Sequence, residues 1–393
     1  MIPHDLDTTL RRLQRRALLV GCAALACCLA AAAAAPGQFF RSYLVGFVYC
    51  AGFPLGALAV LMVHHLVGGA WGHLTRRFLE ASTRTLPVLT LLFMPVAIGT
   101  RWLYPWTDAA AVGSDALLRH KALWLNFPFF IGRAAFYFAV WWTLAWVLNR
   151  WSARQDRTGD PALLDRFASL SAAGLVVFAL TGSFAAFDWL MSTEPKWFST
   201  IYGAMVAMGW MLAALAFTVI VAHYLSDREP VRSAADEQSF NDLGNLMLAF
   251  LMLWTYMALS QFLLIWSANL PEEIEWYLLR FSGSWLAVAI SLPVFHYLVP
   301  FLALLSRPLK RCAPALVKVA GLLLVMRLVD NYWLIAPVYA HGGVHAHWMD
   351  ALCPIGICGL WLAAFCWQLR QMPLIPLHDQ EPETAQHEVP AHG

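Results

Sequence analysis

Long apolar runs recur along nearly the whole chain, and about ten of them approach the roughly 20 residues that a helix needs to cross a hydrocarbon layer of about 30 Å. The runs fall near residues 17–35, 42–67, 85–104, 125–148, 163–187, 198–224, 240–268, 283–306, 314–338 and 345–369. Lipid offers no water to the backbone, so segments of this kind have to be helical. Composition agrees. Of 393 residues, 60% are hydrophobic and 13% charged, and soluble domains carry about twice that charge. The expectation is an all-α polytopic membrane protein of about ten transmembrane helices, forming one integral domain over residues 1–370. The connections are too short to hold a soluble catalytic domain. The segment 371–393 is rich in Pro, Glu and His and reads as a disordered tail.

Lys and Arg are distributed unevenly among the connections. With residues near run ends counted in the adjoining connection, eighteen lie before the first run or in alternate connections after it and six in the intervening ones, and Arg133 and Arg327 lie deeper inside runs. By the positive-inside tendency both termini are cytoplasmic. The first run has a second reading as a cleavable signal peptide, because Arg11, Arg12, Arg15 and Arg16 precede it and Ala33-Ala34-Ala35-Pro36 ends it. Its length favours a retained helix. Many of the 19 Trp residues fall at run ends and read as an interfacial belt. A weak internal echo pairs Asp188-Trp189 with Asp330 and Trp333, the aspartates 142 residues apart. It suggests two four-helix bundles, over about 42–187 and 198–338, with a further helix at each end of the chain.

Several chemistries are absent from the residues. The eight cysteines lie in or beside apolar runs and form neither C-x-x-C nor C-x-x-C-H, so covalent haem, iron–sulfur and zinc-ribbon ligation lack their ligands. No phosphate-binding glycine loop occurs. A net charge of +2, with cations scattered in short connections, speaks against a nucleic-acid partner. A non-covalent haem would need two facing histidines at one depth. His64, His65 and His223 sit near helix ends and only His296 lies deeper, so none is expected. His341, His345, His347 and Asp350 form the single metal-like cluster. Helix capping and a solvated loop explain them as well, and no metal is assigned.

Ionisable groups at membrane depth are costly and tend to mark pathways or structural pairs. Asp242, Asn245, Tyr256 and Ser260 fall within about 60° of one another on the seventh run. His296, three residues after Pro293 on the eighth, has a depth that matches the gap in this stripe. Together they suggest an inner half-channel for protons with His296 as the titrating step, or else a set of interhelical hydrogen bonds. Arg327 and Asp330 share a helix face at i, i+3 and read first as an ion pair. With Asp188 they have an alternative reading as an outer half-channel or a quinol headgroup site. Arg133 is expected to snorkel or to pair with a carboxylate.

The stretch Phe240-Asn-Asp-Leu-Gly-Asn-Leu-Met-Leu-Ala-Phe250 through Ser260-Gln-Phe-Leu-Leu-Ile-Trp-Ser-Ala-Asn-Leu-Pro-Glu-Glu273 resembles the ActF membrane subunits of bacterial alternative complex III, a quinol:cytochrome c oxidoreductase. Phe187-Asp-Trp-Leu-Met-Ser-Thr-Glu-Pro-Lys-Trp-Phe198, Ile201-Tyr-Gly203 and Glu275-Trp-Tyr-Leu-Leu-Arg280 support it. Such subunits are similar to NrfD-like, polysulfide-reductase-type membrane proteins built from two four-helix bundles. The resemblance implies a chain without its own redox cofactor, in contact with lipid, with quinone as a possible ligand. It further implies an ActC-like quinol-binding membrane subunit and iron–sulfur and multihaem cytochrome c subunits as partners, and a share in proton translocation. The competing expectation is a stand-alone secondary transporter of the ten-helix type.

Overall fold

The computed structural model describes residues 3–340 and 342–377. Among them every regular element is helical. The long helices are α1 His4–Ala32, α2 Pro36–Val67, α3 Ala70–Thr83, α4 Leu86–Ile98, α5 Phe127–Thr158, α6 Ala162–Trp189, α7 Tyr202–Leu225, α8 Glu237–Ala268, α9 Trp285–Leu305, α10 Ala313–Ile335 and α11 Trp348–Leu369. Eight of them are long and apolar enough to cross a membrane, or nine if the bent pair α3–α4 counts as one span. The protein is thus a multi-pass helical membrane protein. The expected count of ten rests on α10, which carries Lys318, Arg327 and Asp330 and falls short of that criterion through charge rather than length.

Two helices form the centre, and glycine lets them. A Cβ at Gly56 of α2 would stand 2.0 Å from the Trp210 carbonyl oxygen of α7, and one at Gly52 would press on the Trp210 ring. In lipid, where apolar side chains gain little by leaving their surroundings, such backbone approach is what holds helices together. Helices α3 to α5 gather on the α2 side and α8 to α10 on the α7 side, while α6 packs on α2 and α7 alike. The terminal helices α1 and α11 pair with each other against α2. Their seam is also glycine: a Cβ at Gly21 would lie 2.8 Å from the Leu360 nitrogen, and one at Gly359 would lie 2.8 Å from the Gly21 Cα. Arg370 donates to Asp7 at 2.7 Å and to Gln14 at 2.9 Å, closing the seam between the end of α11 and the first turns of α1.

The third expected span, 85–104, is corrected. The helix ends at Ile98, and it is preceded by α3, bent from it by 44° where Pro87 opens the new helix. Helix α3 occupies a stretch counted among the connections, and its Arg76 and Arg77 are each 1% exposed. They grip Glu80 at 2.9 and 2.7 Å, and Ser152 of α5 donates to the same carboxylate at 2.7 Å. Gln155 accepts from Arg76, and Asp156 pairs with Arg77. Two arginines counted as orientation signals are therefore structural. At the opposite end, Asp115 caps the short helix after it, and its carboxyl is held below the usual range, chiefly by the Lys196 ammonium 3.1 Å away.

Replacing Gly359 with leucine is expected to cost at least about 1–3 kcal/mol through overpacking of the α1–α11 seam. Gly132→Ala, at a position with open space around it, serves as the neutral comparison. Thermal unfolding in detergent measures both, and equal melting temperatures would show that the seam is not a close contact.

Candidate functional site

Among the described residues four charged clusters lie buried between the helices, and they differ in how completely their polar atoms are satisfied. The α3–α5 cluster is one. The second joins α5 to α6. Arg133 donates to Asp188 from Nε at 2.8 Å and from Nη2 at 2.7 Å, Tyr137 donates at 2.8 Å, and the Trp124 indole at 3.3 Å. Arg133 also donates to the Trp124 carbonyl and lies over the Trp124 ring. Arg133 therefore pairs with a carboxylate rather than snorkelling. Asp188, with four donors upon it, is committed to that pair.

The third cluster caps one end of the bundle and is made from the stretches that carry the resemblance. Arg280, 0% exposed, donates to Glu194 at 2.7 Å and to the Leu334 carbonyl at 2.8 Å, and its guanidinium lies 3.7 Å from the Trp276 ring. Trp276 stacks on Trp197 at 4.7 Å. Ser199 donates to Gln261, which donates in turn to Tyr277. The rest of the motif also has local physical reasons. Gly244 admits the Lys310 stem, Asn245 accepts from the Lys310 ammonium at 2.6 Å, and Asn269 takes a left-handed conformation (φ 49°) that ends α8 before Pro271.

The fourth cluster, at the α7–α10 side, is the candidate site. Arg327 Nη1 donates to Asp330 at 2.7 Å, both residues buried, which is the ion pair expected from their spacing. The guanidinium fits because position 209 of α7 is glycine: a Cβ there would lie 2.1 Å from Nη2. Its other face lies 5.6 Å from the ring of Trp254 on α8. His296 meets the same indole edge-on, at 4.1 Å between ring centroids. It is 0% exposed, and neither ring nitrogen has a hydrogen-bond partner; nor has the Trp254 indole nitrogen. A buried polar atom left unbonded costs about 1–3 kcal/mol. The local backbone is unusual too, since Leu292–Leu298 makes a π-helical turn that contains Pro293. Such turns sit at functional sites more often than chance.

The expected stripe does not meet His296. Tyr256 is 67% exposed on the outer face of α8, Asn245 is taken up by Lys310, and Asp242 bonds Gln238 near the start of the helix. Ser260 lies partly exposed on the same helix. The residue that α8 turns toward His296 is Trp254, whose apolar ring masked its part in the polar pattern. Of the metal-like cluster, His341 lies outside the described residues. His347 and Asp350 close a reciprocal capping box at the start of α11, and His345 lines a surface cavity. Among the described residues no three such donors converge. No protein-family model matches this chain, and none of the curated proteins matches it at a significant level.

Arg327→Ala strands a buried carboxylate and should destabilise the protein by about 3–5 kcal/mol. Asp330→Asn, which keeps an acceptor for Arg327, should cost less. Gly209→Ala should resemble Arg327→Ala, because its methyl occupies guanidinium space. Thermal unfolding in detergent ranks the three, and equal stability of the first two would refute the pair.

Proposed function

We propose that this chain is a membrane subunit of a quinol-oxidising respiratory complex of the alternative complex III type, without a redox cofactor of its own, and that His296 relays protons within it. The observation that carries the relay is the state of the His296 ring. A neutral imidazole passes a proton by accepting at one nitrogen and releasing from the other, and nitrogens not committed to a structural hydrogen bond are available for both steps. At Asp188 and Arg133 every polar atom is engaged, as in a structural pair. At His296 both nitrogens are open, eleven residues, about 16 Å, along α9 from Trp285 and so well inside a bilayer of about 30 Å.

The assembly rests on the motif resemblance. It supplies an ActC-like quinol-binding partner, iron–sulfur and multihaem cytochrome c subunits, and a place in a bacterial inner membrane, while the Lys and Arg distribution supplies the cytoplasmic termini. Electron transfer and quinol chemistry would then belong to the partners, and this chain would contribute lipid-embedded structure and proton movement.

Purification in mild detergent is expected to bring down haem c and iron–sulfur polypeptides; a solitary chain that drives solute uptake in liposomes would favour the transporter instead. In vesicles holding the complex, His296→Leu should lower proton translocation several-fold while uncoupled quinol oxidation continues. Asp242→Asn, at the helix start and away from His296, should leave coupling unchanged. Full coupling in the His296 variant would end the relay.

A further inference from the structure

Where α2 begins, α10 ends and α11 begins, the surface holds a cavity of about 200 Å³ lined by Gln38, Arg41, Tyr332, Tyr339, His345 and Asp350 among others. The two opposite charges in it are treated differently. Asp350 is provided for: its carboxylate accepts from Gln38 at 3.0 Å, from Ser42 at 2.5 Å and from the His347 amide at 2.9 Å. Arg41 is not. Its guanidinium lies 4.6 Å from the Tyr339 ring, its Nε is buried without an acceptor, and among the described residues no carboxylate stands within 4.0 Å of it.

Tyr339 is in no position to rotate away, because its hydroxyl donates to the Leu103 carbonyl at 2.6 Å. The ring thus fixes the face of the guanidinium and leaves its donor edge for something else. Arg84 is likewise half-buried, but it donates to Asn149 at 2.8 Å, whereas Arg41 faces a cavity. Depth narrows the choice of ligand. Arg41 is the sixth residue of α2, about 8 Å along from the first, and Phe40 beside it stacks on Trp102 at 4.6 Å. Aromatic side chains at helix ends mark the headgroup level of a bilayer.

We propose that this cavity binds a phosphate-type oxyanion on Arg41, either the phosphodiester of a lipid headgroup or free phosphate. The planar guanidinium offers paired donors that match two phosphate oxygens. Gln38 spends its amide donors on Ser42 and Asp350, and His345 at the rim is the side chain that can add a donor. This site is independent of the proton relay and of the proposed complex.

The test uses the full chain, delipidated in detergent and then exposed either to mixed micelles containing phosphatidylglycerol and phosphatidylethanolamine or to potassium phosphate. Native mass spectrometry counts bound phospholipid, and thermal unfolding reads phosphate against potassium chloride of equal ionic strength. If the ligand is a lipid, Arg41→Gln retains one phospholipid fewer than the unaltered chain, and Arg101→Gln, an exposed neighbour, retains the full number. If the ligand is free phosphate, phosphate raises the melting temperature of the unaltered chain and not of Arg41→Gln. Should the glutamine variant fail to fold, Arg41→Lys keeps the charge and is expected to show the same losses in weaker form. Equal phospholipid counts together with an equal response to phosphate in the unaltered chain and the variant would overturn the proposal.

Discussion

A charge inside a bilayer must find its counter-charge within the protein, since lipid supplies neither water nor mobile ions. Much of this molecule is arranged around that requirement. Arg76 and Arg77 close on Glu80 and Asp156, Arg133 on Asp188, Arg280 on Glu194, and Arg327 on Asp330. Three of these clusters tie separate helices or connections together, so they fix bundle geometry at points where apolar packing alone would permit sliding. Apolar surfaces in lipid have little preference for one another, and specificity has to come from small residues and polar contacts. Gly56, Gly209 and Gly359 supply the first, and the arginines the second.

Satisfaction separates structure from candidate chemistry. Asp188 accepts four hydrogen bonds and Arg280 donates to both side chain and backbone, which leaves little for a moving proton or a ligand. The His296 ring contacts Trp254 and leaves its two nitrogens unbonded, on a helix turn already distorted by Pro293. Other buried polar atoms also lack partners, Asn331 Oδ1 and the Trp210 indole nitrogen among them, but among the described residues His296 is the titratable ring with both nitrogens unbonded, and that is the reason to look for function at this position. Arg41 presents the same contrast at the membrane surface, in an arginine that has a ring to lie on and no anion to face.

The sequence stretches that suggested a family meet in space. Residues near 194–199, 261 and 276–280 are distant along the chain and form one cap of stacked tryptophans around the Glu194–Arg280 pair. Their identity is therefore explained by packing in this fold.

Hydropathy in the sequence was enough to determine that the chain is helical and multi-pass, because lipid permits an apolar 20-residue run hardly any other form. The Arg327–Asp330 pair was legible for a similar reason: both members lie one helical turn apart, and helix geometry alone brings them together. Partners on different helices were not. Whether Arg133 meets Asp188, whether Arg76 and Arg77 are solvated or buried, and which face of α8 looks at His296 depend on how helices rotate against one another. That rotation is set by glycine contacts and crossing angles that leave no periodic trace. The polar stripe of Asp242, Asn245, Tyr256 and Ser260 pointed the wrong way because periodicity reports a shared face and is silent about what the face meets. Only the tertiary structure decided that this face looks outward and that an apolar indole stands beside the buried histidine.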